Sequence, residues 1–287
     1  VHDQLVALAT TPGACVFAIV LGLLWGSFAN VCIYRWAPSE EFPEGRSVVK
    51  PGSHCFACKA PIRWYDNVPL LSYLWLRGRC RACGKGFSSR YLLVEALTGA
   101  LFGVAWWFTL GSGGMFEGSI ELRALEFVID AAFVFVMVVI AFIDLDTKLI
   151  LDKVTFPSIV LFFGASLLLP DRHWWDGLLG VAVGYGVPWL IAEIYLRVRK
   201  QEGLGMGDFK LLALVGALLG WRGVVVSLFG GSVIGSVISI PLLAARRGEG
   251  ANVMRVEVPF GPYLAIGAVF YLFAEPWLVM HLRFLGG

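Results

Sequence analysis

The chain has 287 residues, of which 58% are hydrophobic and only 15% charged, with a formal net charge of +2. That balance excludes an ordinary water-soluble globular domain and a disordered charged chain, and it predicts a polytopic membrane protein. Apolar residues arrive in blocks of roughly 17–22, the length that crosses a bilayer core of about 30 Å.

The first expected span, residues 14–34, is long and leads into a basic segment instead of a small-residue cleavage site. With no basic segment before it, no cleavable signal peptide is expected. Its Cys15 and Cys32 read as small buried residues. Residues 36–90 follow as a soluble stretch carrying two Cys-x-x-Cys pairs, Cys55 with Cys58 and Cys80 with Cys83, separated by 21 residues. Each pair turns two thiolates toward one point, and two such knuckles complete a tetrahedral four-sulfur site for zinc. Four protein ligands leave no open position, so the metal is expected to be structural, supplying folding energy that a stretch of about 55 residues draws poorly from a core. Two disulfides or a redox pair are the alternative, and a cytoplasmic location argues against them because that compartment keeps thiols reduced. His54 adjoins the first knuckle and is an alternative ligand to one of the sulfurs.

Further spans are expected at residues 91–110, 125–142, 154–169, 178–196, 209–219, 224–243 and 260–280, which brings the set to eight. The fourth and sixth are short. Across eight spans, 19 of the 23 Lys and Arg fall in segments 35–90, 147–153, 197–210 and 246–255, leaving Arg123, Arg172, Arg222 and Arg283 on the other side. The positive-inside rule then puts the 19 in the cytoplasm and both termini outside. The expected organisation is a first transmembrane helix (1–35), a cytoplasmic four-cysteine domain (36–90) and an all-α transmembrane core (91–287) in contact with membrane lipid.

Two aspartates stand at the ends of apolar runs: Asp144 closes residues 127–143, and Asp208 ends Gly205-Met206-Gly207-Asp208 just before another run. An ionisable group beside lipid costs about 2.5–3.5 kcal/mol on insertion scales, so each is a functional candidate. The topology places both near the cytoplasmic face. Two aspartates sharing a proton can divide roles, one taking a proton from water while the other donates to a carbonyl oxygen or leaving amine, which is peptide hydrolysis without a covalent intermediate. The glycines before Asp208 suit close approach of a substrate backbone.

Other polar residues read as structural. Glu95, Glu126, Asp130 and Glu193 suit packing partners or water-facing groups, Asp146 points away from Asp144 because i and i+2 do not share a helix face, and Asp152 reads as an N-cap for the fourth span. Gly180, Gly184, Gly186, Gly230, Gly231 and Gly235 read as small-residue helix contacts. No nucleotide-binding loop stands out, no nucleic-acid partner is expected, and the sequence leaves the oligomeric state open.

Taken in order, residues 26–35 (GSFANVCIYR), Ser53-His54-Cys55 to Cys58, residues 64–73 (WYDNVPLLSY), Arg77-Gly78-Arg79-Cys80, Arg90-Tyr91 with Val94-Glu95, Ile143-Asp144-Leu145-Asp146, residues 205–210 (GMGDFK) and residues 259–263 (PFGPY) resemble the bacterial type IV prepilin peptidases over nearly the whole chain. The resemblance implies a bifunctional enzyme of the cytoplasmic (inner) membrane. Such an enzyme cuts the basic leader from type IV prepilins or from pseudopilins of type II secretion, then methylates the new N-terminal amine with S-adenosylmethionine. It also implies the Gly-x-Gly-Asp class of aspartyl proteases, with Asp208 as the second catalytic aspartate and Asp144 as the first. The family pattern resembles Asp-x-Asp-x-x-x-x-Pro-Asp, and archaeal relatives keep the aspartate seven residues before the proline, which corresponds to Asp144 rather than Asp146. Leu151 stands where that proline is expected, a departure that would loosen the turn into the fourth span. The rival reading from another class is an ion- or proton-coupled transporter, since paired intramembrane carboxylates also serve as cation sites. A zinc-dependent membrane scaffold explains the cysteines but leaves residues 205–208 without a role.

Overall fold

The computed structural model describes residues 9–111, 118–170, 172–200, 205–247 and 258–281. Arg255 and Arg283, which entered the charge division, lie outside the described residues. The fold is all-helical, and its β features among the described residues are two isolated bridges, His54 with Pro61 and Arg79 with Gly86. Among the described residues, five helices are long and apolar enough to cross a membrane: Pro12–Trp36, Arg90–Thr109, Ile120–Thr147, Trp174–Arg199 and Met206–Pro241. The chain divides into two compact units, residues 1–139 and 140–287.

In the first unit, α1 (Pro12–Trp36) starts where Thr11 Oγ1 accepts the Ala14 N–H at 3.3 Å, with Pro12 in the first turn where its missing donor costs nothing. The soluble stretch follows, with a 3-10 turn at Trp64–Asn67 and the short α2 (Leu71–Trp75). Then comes α3 (Arg90–Thr109), and α4 (Ile120–Thr147) begins in this unit. Glycines set how closely α1 and α3 approach. A Cβ on Gly22 would lie 2.7 Å from Phe102 Cβ, one on Gly26 2.7 Å from Glu95 Cα, and one on Gly99 2.6 Å from Leu23 Cδ2. Gly22 and Gly26 are one turn apart, which is the small-xxx-small spacing that lets helix backbones meet where lipid gives no hydrophobic drive to do so.

In the second unit, α5 (Asp152–Ser166) has 15 residues, about 22 Å of rise and short of a bilayer core. It is followed by α6 (Trp174–Arg199), α7 (Met206–Arg247) and α8 (Gly261–His281). The expected sixth and seventh spans form this one α7 of 42 residues, broken at Gly220, where φ is 67° and ψ −176°. A straight helix of that length would rise about 63 Å, twice the bilayer core, and Gly220 supplies a backbone conformation open only to glycine. The first half of α7 packs on α6 with backbone against backbone: a Cβ on Gly180 would lie 2.2 Å from the Gly216 carbonyl oxygen, and one on Gly184 2.3 Å from that of Leu212. The second half packs on α8, where buried Ser227 Oγ donates to the Leu264 carbonyl at 2.7 Å. The small-residue reading holds for Gly180, Gly184, Gly231 and Gly235 but not for Gly186, whose added Cβ would meet nothing within 4 Å.

Two expectations at the start of α5 are corrected. Leu151, not Asp152, is the N-cap; Asp152 is the first helical residue, and its Oδ1 takes the Lys210 ammonium at 2.5 Å. The turn also forms without proline. Leu151 has φ −80° and ψ 126°, close to a proline's own φ, and its carbonyl accepts the Val154 and Thr155 N–H groups at 3.0 Å each.

Candidate functional site

The second unit holds both candidate carboxylates. Asp144 is 4% exposed and Asp208 8% exposed, whereas Asp146 lies on the exposed side of the same turn of α4. At 100° per residue, i and i+2 stand about 200° apart on a helix, which separates the two aspartates of this motif. Asp144 Oδ2 accepts the backbone N–H of Gly261, the first residue of α8, at 3.0 Å in a buried hydrogen bond. Asp208 sits in the first turn of α7, its own N–H donating to the Gly205 carbonyl at 3.1 Å, and it lies close enough to Asp144 to feel that carboxylate's charge.

Ile150 joins the two halves of the site. A Cβ on Gly207 would lie 2.9 Å from Ile150 Cβ, and one on Gly261 would lie 3.3 Å from Ile150 Cδ1 and 2.8 Å from Asp144 Oδ2. The glycine beside each aspartate therefore closes on the same isoleucine, and a Cβ at either forces a neighbour to shift. Gly205 plays a looser part, since its added Cβ would stand 3.4 Å from Asp208 Oδ2. Lys210, two residues after Asp208, spans to Asp152 and fastens the start of α7 to the start of α5. Sequence reasoning gave Ile150 and Lys210 no role, and left Gly261 as part of a motif without one.

The four cysteines of the first unit form a second site. The sulfurs of Cys55, Cys58, Cys80 and Cys83 all lie within 4.8 Å of one another, with Cys55 to Cys83 at 3.8 Å and Cys58 to Cys80 at 4.0 Å. Zinc–sulfur bonds of about 2.3 Å in a tetrahedron put sulfurs about 3.8 Å apart, whereas a disulfide needs about 2.05 Å. The donor set fits a tetrahedral metal ion. The two knuckles repeat each other: the Lys59 N–H returns to the Cys55 carbonyl and the Gly84 N–H to the Cys80 carbonyl, both at 2.9 Å, while Ile62 bonds back to Ser53 and Phe87 to Gly78. Lys59 and Gly84 occupy the same place in this repeat, with φ of 58° and 70°.

As thiols, Cys55 and Cys83 differ. The N–H groups of Cys58 and Ala57 bring the Cys55 thiol down to about 6. Cys83 stands at about 11: the Lys85 N–H pulls it down, but desolvation and hydrogen bonds from Cys58, Cys80 and Cys55 outweigh it. His54 turns Nδ1 to the Gly52 carbonyl at 2.9 Å, and the cluster within ligand reach contains the four cysteines alone among the described residues. Asp66 in the 3-10 turn holds Arg81 of the second knuckle through both oxygens, at 2.6–3.1 Å.

Three further acidic residues sit in structural surroundings. Glu193 pairs with Arg197 one turn on, at 2.8 Å, and Asp130 is buried in α4. Glu95 is buried in α3 and accepts the Leu70 N–H at 2.9 Å.

Comparison with known proteins divides the chain in a similar way. Residues 20–109 match the family described as bacterial peptidase A24 N-terminal domain, and residues 131–240 match the type IV leader peptidase family. Similar relatives, each named prepilin leader peptidase/N-methyltransferase, come from Stutzerimonas stutzeri (35% identical, 96% of this chain and 97% of the relative), Pseudomonas putida (35%, 97% and 98%) and Neisseria gonorrhoeae (35%, 89% and 89%). No solved structure matches the chain.

Proposed function

This chain belongs to the type IV leader peptidase family, and on that premise we infer that it acts as its relatives are named, as a prepilin leader peptidase and N-methyltransferase of the inner membrane. Asp144 and Asp208 are the proposed catalytic pair. One carboxylate takes a proton from water as its oxygen attacks the scissile carbonyl, and the other protonates the departing amine as the carbon–nitrogen bond breaks. The Gly261 N–H orients Asp144 by fixing one of its oxygens, leaving the other for the reaction. The single observation that carries this reading is the burial of both carboxylates, with the glycines that adjoin them, Gly207 and Gly261, both set against Ile150.

Prepilins or pseudopilins are the substrates, their basic leader in the cytoplasm and their apolar helix in the membrane. This agrees with a topology in which both termini lie outside and residues 36–90 form a cytoplasmic domain between the first helix (1–35) and the peptidase core (91–287). Zinc is the proposed ion of Cys55, Cys58, Cys80 and Cys83, with a structural role because all four positions are taken. S-adenosylmethionine is the proposed methyl donor; when bound, it supplies a methyl group whose transfer breaks a carbon–sulfur bond, forms a carbon–nitrogen bond, leaves a neutral thioether and releases one proton to water. No contact among the described residues favours the transport reading, and the relatives named above are peptidases and methyltransferases by name.

The test is cleavage of a purified prepilin by protein in detergent, with mass spectrometry on the new N-terminus. Asp144→Asn and Asp208→Asn are each expected to lose cleavage by at least about a thousandfold, and Asp146→Asn to keep it. Full cleavage by either of the first two rejects its assignment. One zinc per chain, lost in Cys58→Ser, is the expected metal content.

A further inference from the structure

A cleft in the first unit opens between the end of α1, the start of α3 and the cysteine knuckles, enclosing about 920 Å³ including its open mouth. Every residue lining it falls between Ser27 and Glu95, inside the segment that matches the bacterial N-terminal domain and apart from the segment, residues 131–240, that carries both aspartates. Resting on the two-activity reading above, we propose that this cleft is the binding site for S-adenosylmethionine and that Glu95 is the residue that recognises its positive sulfur.

The lining supplies what that ligand requires. It bears a sulfonium, an adenine ring, a ribose diol and an amino-acid end with charges of both signs. Glu95 is 9% exposed and lines the cleft, and its Oε2 takes the Leu70 N–H at 2.9 Å. That bond leaves further lone pairs on the carboxylate for a cationic ligand. It also holds the group in place. Leu70 has φ 58°, an uncommon conformation for a leucine, and it turns its N–H onto Glu95. Gly26 lets α1 approach to within 2.7 Å, measured from its added Cβ, of the Glu95 Cα.

The aromatic walls suit the rest of the ligand. Tyr34 and Phe56 pair at the cleft with ring centroids 4.6 Å apart, and both are about 40% exposed, so a flat base has open faces to stack on. Tyr73 and Tyr91 also line the space, and ring faces attract a methyl-bearing cation. Asn30 donates Nδ2 to the Tyr91 carbonyl at 3.1 Å and keeps its amide oxygen as an acceptor. Arg79 offers a cation at the rim for a carboxylate. An ordinary packing role for Glu95 would not require an opening at its side chain. The lone alternative ligand of similar chemistry is the new N-terminal ammonium of the cleaved pilin, which has the charge but no base to stack.

The experiment measures equilibrium binding of S-adenosylmethionine and of S-adenosylhomocysteine, which lacks the sulfonium, to the full chain in detergent with its zinc retained. Wild type is expected to prefer the sulfonium compound. Glu95→Gln, which keeps an acceptor for the Leu70 N–H, should lose about tenfold of that preference. Phe56→Ala, at an exposed position, should weaken both compounds about equally. Zinc content and melting temperature report whether each variant is folded. Folded variants that bind both compounds as wild type does overturn the cleft assignment, and so does a preference unchanged in Glu95→Gln; binding of a pilin N-terminal peptide that Glu95→Gln abolishes while S-adenosylmethionine binding persists overturns it as well. A wild-type chain that binds no S-adenosylmethionine instead removes the methyl-donor reading on which the cleft depends.

Discussion

The backbone N–H of Gly261 donates to Asp144 Oδ2 at 3.0 Å across 117 residues of sequence. The bond ties the end of α4 to the start of α8 and fixes the direction of this carboxylate. Gly261→Ala puts a methyl where 2.8 Å separates it from that oxygen. A displaced charged hydrogen bond costs about 1.5–3 kcal/mol, so prepilin cleavage should fall about 10- to 100-fold while the protein remains inserted. Wild-type turnover by Gly261→Ala in detergent would show that Asp144 does not need this donor.

Asp66 gives the cysteine domain a pH dependence with a defined sign. The Arg81 guanidinium bonded to it holds its carboxyl below the usual carboxylate range. A folded value below the unfolded one, about 3.9, means that the contribution to stability is complete above that pH and is lost as pH falls through the folded value. Asp66→Asn removes it at every pH. Melting temperatures of the two proteins should therefore differ at neutral pH and converge below about pH 4; a difference that widens on acidification contradicts the pair.

Lys59 and Gly84 hold equivalent places in the two knuckles, and only the second is a glycine. A non-glycine residue in the left-handed region costs about 1–2 kcal/mol, partly offset by the extra chain entropy that glycine loses. Lys59→Gly should thus stabilise the first knuckle by about 0.5–1 kcal/mol. Slower loss of zinc to a chelator is the readout, and faster loss would contradict the equivalence.

Gly180 and Gly186 lie on the same helix and should respond oppositely. Alanine at Gly180 meets the Gly216 carbonyl oxygen at 2.2 Å and must push α6 from α7, an overpacking cost of about 1–3 kcal/mol or more. Alanine at Gly186 meets nothing within 4 Å and gains helix propensity, up to about 1 kcal/mol. Denaturant midpoints in detergent distinguish them, and equal effects would mean that the α6–α7 contact does not limit stability.

The sequence by itself determined the all-helical membrane class, the four-cysteine cluster, and Asp144 and Asp208 as the residues to examine. These are readable because their causes are local: apolar run length answers to bilayer thickness, and a Cys-x-x-Cys pair fixes two sulfurs within one turn. Even the separation of Asp144 from Asp146 follows from helix periodicity, and burial of one with exposure of the other agrees with it. Tertiary structure alone decided that Gly261 holds Asp144, that Gly207 and Gly261 both meet Ile150, that Asp152 pairs with Lys210 instead of capping α5, and that Glu95 borders a cleft. Each of those depends on which helices meet and at what depth. In a membrane, where nearly every helix face is apolar, small residues and backbone contact choose the partners, and a linear pattern of hydrophobicity does not encode that choice.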